Sequence, residues 1–187
     1  SARFYADMLV EDPRTGLLYT APSNSPENAF LMPDGRQAHI CLGSTSDMQM
    51  VRFLFEATLR ASQILGLDEA LRNELQTKLI HLPPTGIGAD GRVMEWQQPY
   101  REVDPHHRHV SHLWGLYPGQ EINASTPALL SAARKTLDAR GDEGTGWSLA
   151  YKLNLWARLG DGERAYSLLR AHLKPADALG PQKEWSG

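Results

Sequence analysis

Thr145-Gly146-Trp147-Ser148-Leu149-Ala150-Tyr151-Lys152-Leu153-Asn154-Leu155-Trp156-Ala157-Arg158-Leu159-Gly160-Asp161-Gly162, followed by Ala165, Leu168, Leu169 and Leu173 at helical spacing, reads as two helices joined by a tight turn. Trp147, Ala150, Tyr151, Asn154 and Arg158 fall on one stripe of the first helix. Leu149, Leu153, Trp156 and Leu159 fall on another, so both its sides are expected to be covered. Gly160-Asp161-Gly162 makes the turn, with Asp161 as N-cap. A helix covered on both sides and followed at once by a partner points to helix-pair architecture.

The same periodicity recurs upstream. Ser1 to about Val10 reads as an amphipathic helix, broken by Asp12-Pro13 and Thr15-Gly16. Met48, Val51, Phe55, Thr58, Leu59, Ser62 and Leu65 trace one face of a long helix, with Thr45 or Ser46 as N-cap and Gly66 as stop. Asp68 can cap a further helix carrying Leu71, Leu75 and Leu79, which ends before Pro83-Pro84. Thr126-Pro127 opens another with a cap and an N1 proline; it carries Leu129, Leu130, Ala133 and Leu137 and stops at Gly141. No set of alternating strands stands out. The expected class is all-α, with irregular stretches at 16–43 and 81–125 that are far longer than connections need to be. A toroid of paired helices with its site built by loops at one end fits this pattern, and so does a helical solenoid, although no fixed repeat period is visible.

Composition narrows the class of function. With 41% hydrophobic and 22% charged residues, the 187-residue chain has the profile of a folded protein. A net charge of −3 supplies no basic stripe for phosphates, so nucleic acid is not an expected partner. No apolar run has membrane-spanning length, and no charged-then-apolar leader opens the chain. Cys41 is the single cysteine, which leaves no internal disulfide; it is expected to be a small buried hydrophobe. Ser1 starts inside a helical pattern, and Gly180-Pro181-Gln182-Lys183-Glu184-Trp185-Ser186-Gly187 ends in loop-like sequence, so a fragment of a larger domain is expected.

The chemistry concentrates in the two long loops. His106-His107-Arg108-His109-Val110-Ser111-His112 holds four of the seven histidines and runs directly into Leu113-Trp114-Gly115-Leu116-Tyr117-Pro118-Gly119. Donors beside aromatic faces suit a neutral, hydroxylated, partly apolar ligand, which describes a sugar. Trp114 and Tyr117 could stack on such a ring or anchor the loop to the helices. The blander alternative is a structural loop whose histidines satisfy buried carbonyls. A zinc site built from His106, His109 and His112 is disfavoured by the fixed charge of Arg108 in its midst, and the expectation is no metal and no cofactor. In Thr20-Ala21-Pro22-Ser23-Asn24-Ser25-Pro26-Glu27-Asn28-Ala29-Phe30, two prolines brace the backbone around Glu27. A glutamic acid held beside Phe30, Leu31 and Met32 would suit general acid catalysis; alternatively Ser25 merely caps a helix start. Trp147, after Gly144-Thr145-Gly146, is read as a packing residue. Gly86-x-Gly88-x-x-Gly91 follows no strand pattern and is not read as a phosphate cradle.

Three segments together carry a resemblance. Pro22 to Asn28, His107 to Gly119 and Thr145 to Gly162 resemble, in order and spacing, motifs of the glycoside hydrolase family 95 fucosidases, with Tyr151 where Trp is the family expectation. The likeness runs from residue 1 to about residue 175. It implies residues 1–187 as about half of an (α/α)6 barrel catalytic domain that hydrolyses terminal α-L-fucosides, typically α1,2-linked to galactose, with inversion. It implies Glu27 as general acid and Arg108 and His109 as sugar-holding residues. His112 and Glu95 are weaker carry-overs, as substrate contacts or supports, and Trp114 joins the substrate-binding set. The family's water-activating asparagines belong upstream of Ser1 and its supporting aspartate downstream of Gly187. The 187 residues alone are therefore expected to be inactive, and poorly folded or self-associating without the rest of the barrel. The resemblance further implies a fucosylated oligosaccharide or polysaccharide as substrate and a periplasmic or extracellular location. A catalytically silent carbohydrate-binding helical domain is the alternative from another class.

Overall fold

The computed structural model describes residues 1–174, so the loop-like stretch around Trp185 lies outside the described residues. Six helices dominate: α1 (Ala2–Met8), α2 (Thr45–Leu65), α3 (Glu69–Leu79), α4 (Pro127–Arg140), α5 (Gly146–Arg158) and α6 (Gly162–His172). Each expected helix is present, and its ends follow local capping chemistry. α2 begins one residue before the expected caps, because Ser44 accepts from the Asp47 amide at 3.3 Å; Thr45 and Ser46 lie inside the first turn. It ends at Gly66 in the left-handed conformation (φ 65°) that glycine adopts without strain. Asp161 caps α6 through its side chain, accepting from the Arg164 amide at 3.2 Å. Asp68 and Thr126 stand at the expected cap positions but make no side-chain cap bond. Thr126 instead turns its hydroxyl into the preceding loop, accepting from the Asn123 amide at 2.9 Å.

Two apolar cores divide the chain. Ala2 and Ala6 of α1, Met48, Val51, Phe55 and Leu59 of α2, Leu75 of α3 and loop residues Tyr19 and Leu82 form the first. Ala132, Ala133 and Leu137 of α4, Leu155 and Trp156 of α5, and Ala165 and Leu168 of α6 form the second, closed by Val110, Leu113, Leu116 and Ile122 from the histidine loop. α5 is enclosed as expected, though its most buried stripe is Ser148, Lys152, Leu155 and Trp156. The buried Lys152 ammonium donates to the carbonyls of Gly141 (2.8 Å) and Glu143 (2.7 Å), which ties α5 to the turn after α4.

The loops are not wholly irregular, and this is where the sequence reading falls short. Seven two-residue strands occur among the described residues, the last six of them in these loops: β1 (Val10–Glu11), β2 (Leu18–Tyr19), β3 (Ser23–Asn24), β4 (Phe30–Leu31), β5 (Gln37–Ala38), β6 (Ile40–Cys41) and β7 (Arg101–Glu102). All pair antiparallel, as β1–β2, β3–β6 and a three-stranded ladder β5–β4–β7. A two-residue strand is too short to show alternation, so periodicity cannot reveal it. The β4–β7 pair matters most, because Phe30 opposite Glu102 staples the first long loop to the second. Phe30, 1% exposed, reinforces the staple by stacking on Tyr100 (4.2 Å, 12°) and tilting against Trp96 (5.2 Å).

Candidate active site

The stapled loops bring Glu27 and Arg108 together. Arg108 Nη2 donates to Glu27 Oε2 at 2.5 Å, and His109 Nε2 lies 3.9 Å from the same oxygen. Each side of this contact is fixed from behind. Ser111 Oγ donates to the Pro26 carbonyl at 2.8 Å, locking the histidine loop onto the residue before Glu27. Ser148 Oγ, in the first turn of α5, donates to the Arg108 carbonyl at 2.6 Å. The His109 amide donates to His107 Nδ1 at 3.1 Å, which fixes that ring nitrogen as the acceptor.

Glu27 is not in an apolar enclosure. Its side chain is 63% exposed and that of Arg108 46%, because Phe30 turns away into the stack with Tyr100 and Trp96. Residues 25–29 form no helix, so Ser25 is not a cap either. It donates instead to Glu95 Oε1 at 2.7 Å.

Behind the exposed contact lies a buried polar network centred on Glu95. Arg140, the last residue of α4, donates to Glu95 Oε2 at 2.9 Å, to Glu102 and to the carbonyls of Asp104 (3.2 Å) and Pro105 (3.0 Å). Asn28 Nδ2 reaches Glu95 Oε2 at 3.2 Å. Burial alone would raise the Glu95 carboxyl, but the charges of His112 and Arg140 and the bonds from Ser25 and Asn28 hold it below the usual carboxylate range. Burial pushes His112 down to about 4 against the pull of Glu95, whose Oε2 lies 3.8 Å from its Nδ1. The imidazole is therefore neutral at neutral pH, so its charge acts on Glu95 only in acid, whereas the Arg140 guanidinium acts at every pH. His107 and His109 are likewise lowered, in each case chiefly by burial.

The other expected site residues are distributed around this centre. Glu95 and His112 lie behind the contact, inside the network. They also face a cavity of about 260 Å³ that is lined further by Arg92, Trp96, Tyr100 and Glu102. Trp114 stands apart. It meets Phe53 edge-on at 5.4 Å and, with Gln49, Arg52 and Glu121, lines a different cavity of about 220 Å³. His106, His109 and His112 do not gather, and among the described residues no three metal-ligating side chains come together. Cys41 is half-buried rather than enclosed, and burial pushes its thiol up to about 11. Trp147, read as a packing residue, is 59% exposed and lies 4.9 Å from the His109 ring.

Sequence reasoning missed Arg140, Ser111 and Ser148 as organising residues. For Arg140 a signal existed: it continues the buried stripe Ala133, Thr136, Leu137 of α4, where a charged residue needs a partner.

Comparison with known proteins places the helices and loops that carry this ionisable cluster in a glycosyl hydrolase family. Residues 1–185 match the glycosyl hydrolase family 95 catalytic domain, and the chain belongs to that family. It is 40% identical over 168 residues to alpha-L-fucosidase 2 of Arabidopsis thaliana, covering 89% of this chain and 20% of that protein. It is 32% identical over 181 residues to the protein named probable alpha-fucosidase A of Aspergillus niger, covering 90% of this chain and 22% of the relative. The chain thus spans about a fifth of the length of these relatives.

Proposed function

We propose that this chain is the acid-bearing portion, about half, of an (α/α)6 barrel that hydrolyses terminal α-L-fucosides with inversion, the fucose being α1,2-linked to galactose. The observation that carries this reading is the meeting of Glu27, Arg108 and His109 at one exposed point on two loops held by the β4–β7 staple. Glu27 gives its proton to the glycosidic oxygen as the bond from that oxygen to the sugar's anomeric carbon breaks. A water adds to that carbon from the opposite face and surrenders a proton to a base. Water activation comes from elsewhere in the polypeptide, so residues 1–187 alone do not turn over substrate. Arg108 and His109 hold the fucosyl hydroxyls. The incoming sugar takes over the donors of Arg108 and frees the Glu27 carboxyl to act on the glycosidic oxygen. Glu95, Arg140 and His112 support both loops from behind. A periplasmic or extracellular location goes with such a substrate.

The test is Glu27→Gln in the full-length enzyme, assayed on a fucosyl-α1,2-galactoside and on α-L-fucosyl fluoride, whose leaving group departs without protonation. The acid role requires a loss on the disaccharide of roughly 100-fold or more and a much smaller loss on the fluoride. Equal losses would remove Glu27 from that role. Binding of fucose by a wild-type protein that turns over neither substrate would make this a carbohydrate-binding domain instead.

A further inference from the structure

The most exposed aromatic ring near the site has no role in what precedes. Trp147 lies in the first turn of α5 and is 59% exposed, although tryptophan usually ends up mostly covered. It is nonetheless held in place. Its ring stacks on Tyr151, one turn further along α5, at 5.5 Å and 22°. The Tyr151 hydroxyl donates to the Tyr117 carbonyl at 2.7 Å, which pins the pair to the histidine loop. The His109 ring packs at 4.9 Å from Trp147, and His109 Nε2 lies 3.9 Å from the Glu27 carboxylate. A rigid aromatic surface thus sits one imidazole's width from Glu27.

We propose that Trp147, backed by Tyr151, is the platform on which the leaving-group sugar stacks. This deepens the glycosidase reading and rests on it. A general acid working on a glycosidic oxygen has a sugar on either side. The sugar being cleaved is gripped by directional hydrogen bonds, which Arg108 and His109 supply. The departing sugar needs a surface that aligns it and then lets it go. An open indole face does this through dispersion and C–H contacts rather than a fixed set of donors. It suits a hexopyranose with contiguous C–H groups on one face, as galactose has beneath its axial 4-hydroxyl. A methyl group would need an enclosed apolar pocket, and Trp147 is open.

The experiment uses the full-length enzyme with Trp147→Ala and Trp147→Phe. kcat/KM is measured on a fucosyl-α1,2-galactoside and on α-L-fucosyl fluoride, which has no leaving sugar. The expected result for Trp147→Ala is a fall of about tenfold or more in the ratio of the two values, with Trp147→Phe retaining most of it. An unchanged ratio overturns the proposal, whether both activities fall, as when the rest of the polypeptide covers Trp147, or neither does. A wild-type enzyme inactive on both substrates sinks the glycosidase reading separately. The platform is then judged by titrating methyl galactoside against wild type and Trp147→Ala. Loss of binding in the variant supports it, and equal or absent binding removes it.

Discussion

Arg140 and Glu95 meet at 2.9 Å with both side chains almost wholly withdrawn from solvent. The pair joins the end of α4 to the loop that precedes the histidine cluster, and through Ser25 and Asn28 to the residues flanking Glu27. The exposed contact between Glu27 and Arg108 rests on this buried one. Desolvating two charges is costly, so such a pair is worth most as a geometric constraint and is most damaging when half of it is removed.

Arg140→Met should therefore destabilise the full-length protein by about 3–5 kcal/mol, because Glu95 is left buried without its countercharge. Arg140→Met combined with Glu95→Leu should recover part of that loss, since Glu95 no longer leaves a buried charge and Glu102, which also loses Arg140, keeps Arg92 at 2.9 Å. Denaturant midpoints of the single and double variants decide the matter. A single variant within about 1 kcal/mol of wild type, a surface-pair value, would show that the network is not the support argued for it.

His112 makes the same region sensitive to acid. Unfolded, an imidazole takes its proton near pH 6.5; folded, burial pushes His112 down to about 4, with Glu95 pulling upward and Arg140 and Arg92 pushing down. Between those values the unfolded chain binds the extra proton. Stability is thus full above pH 6.5 and declines as pH falls toward 4, by up to about 3 kcal/mol. Glu95, held below the usual carboxylate range, adds a loss of the same sign at lower pH. Urea midpoints at pH 7 and pH 5 should differ in wild type and differ much less in His112→Gln. Equal pH slopes would acquit the imidazole.

Much of this was written in the sequence, but unevenly. α2 and α5 span 21 and 13 residues, enough turns for the 3.6-residue period to declare itself. The ladder that positions the site pairs Phe30 with Glu102, and no local pattern reports a partner so distant in the chain. Glu27 and Arg108 were conspicuous because proline bracing and a histidine-rich loop are rare settings for them. Arg140 was not, because an arginine before a glycine at a helix end ordinarily points into water. Trp147 does pack, on Tyr151 and His109, but its apolar bulk argued for burial, while its place in the first turn of α5 leaves it exposed beside the loop cluster.

Cys41 offers a modest check on local burial. Its thiol is pushed up to about 11, chiefly by burial, so at pH 8 almost none is thiolate, the form that reacts. Alkylation by iodoacetamide at that pH should be at least roughly tenfold slower than for an unperturbed thiol near pKa 8.5. Labelling at the rate of free cysteine would show that β6 opens readily around it.

The Arg108–Glu27 pair separates stability from function. With side chains 46% and 63% exposed, it resembles surface ion pairs, which contribute about 0–1 kcal/mol. Arg108→Met should therefore leave the denaturant midpoint of the full-length protein nearly unchanged. On the proposed sugar-binding role, the same substitution removes a charge-assisted hydrogen bond worth about 1.5–3 kcal/mol, so kcat/KM on a fucoside should fall by roughly 10- to 150-fold. Arg108→Lys keeps the charge but loses the planar fork, and should recover little of the activity. A substitution that lowers stability and activity in step would make Arg108 a structural brace, and one that moves neither would place the sugar elsewhere.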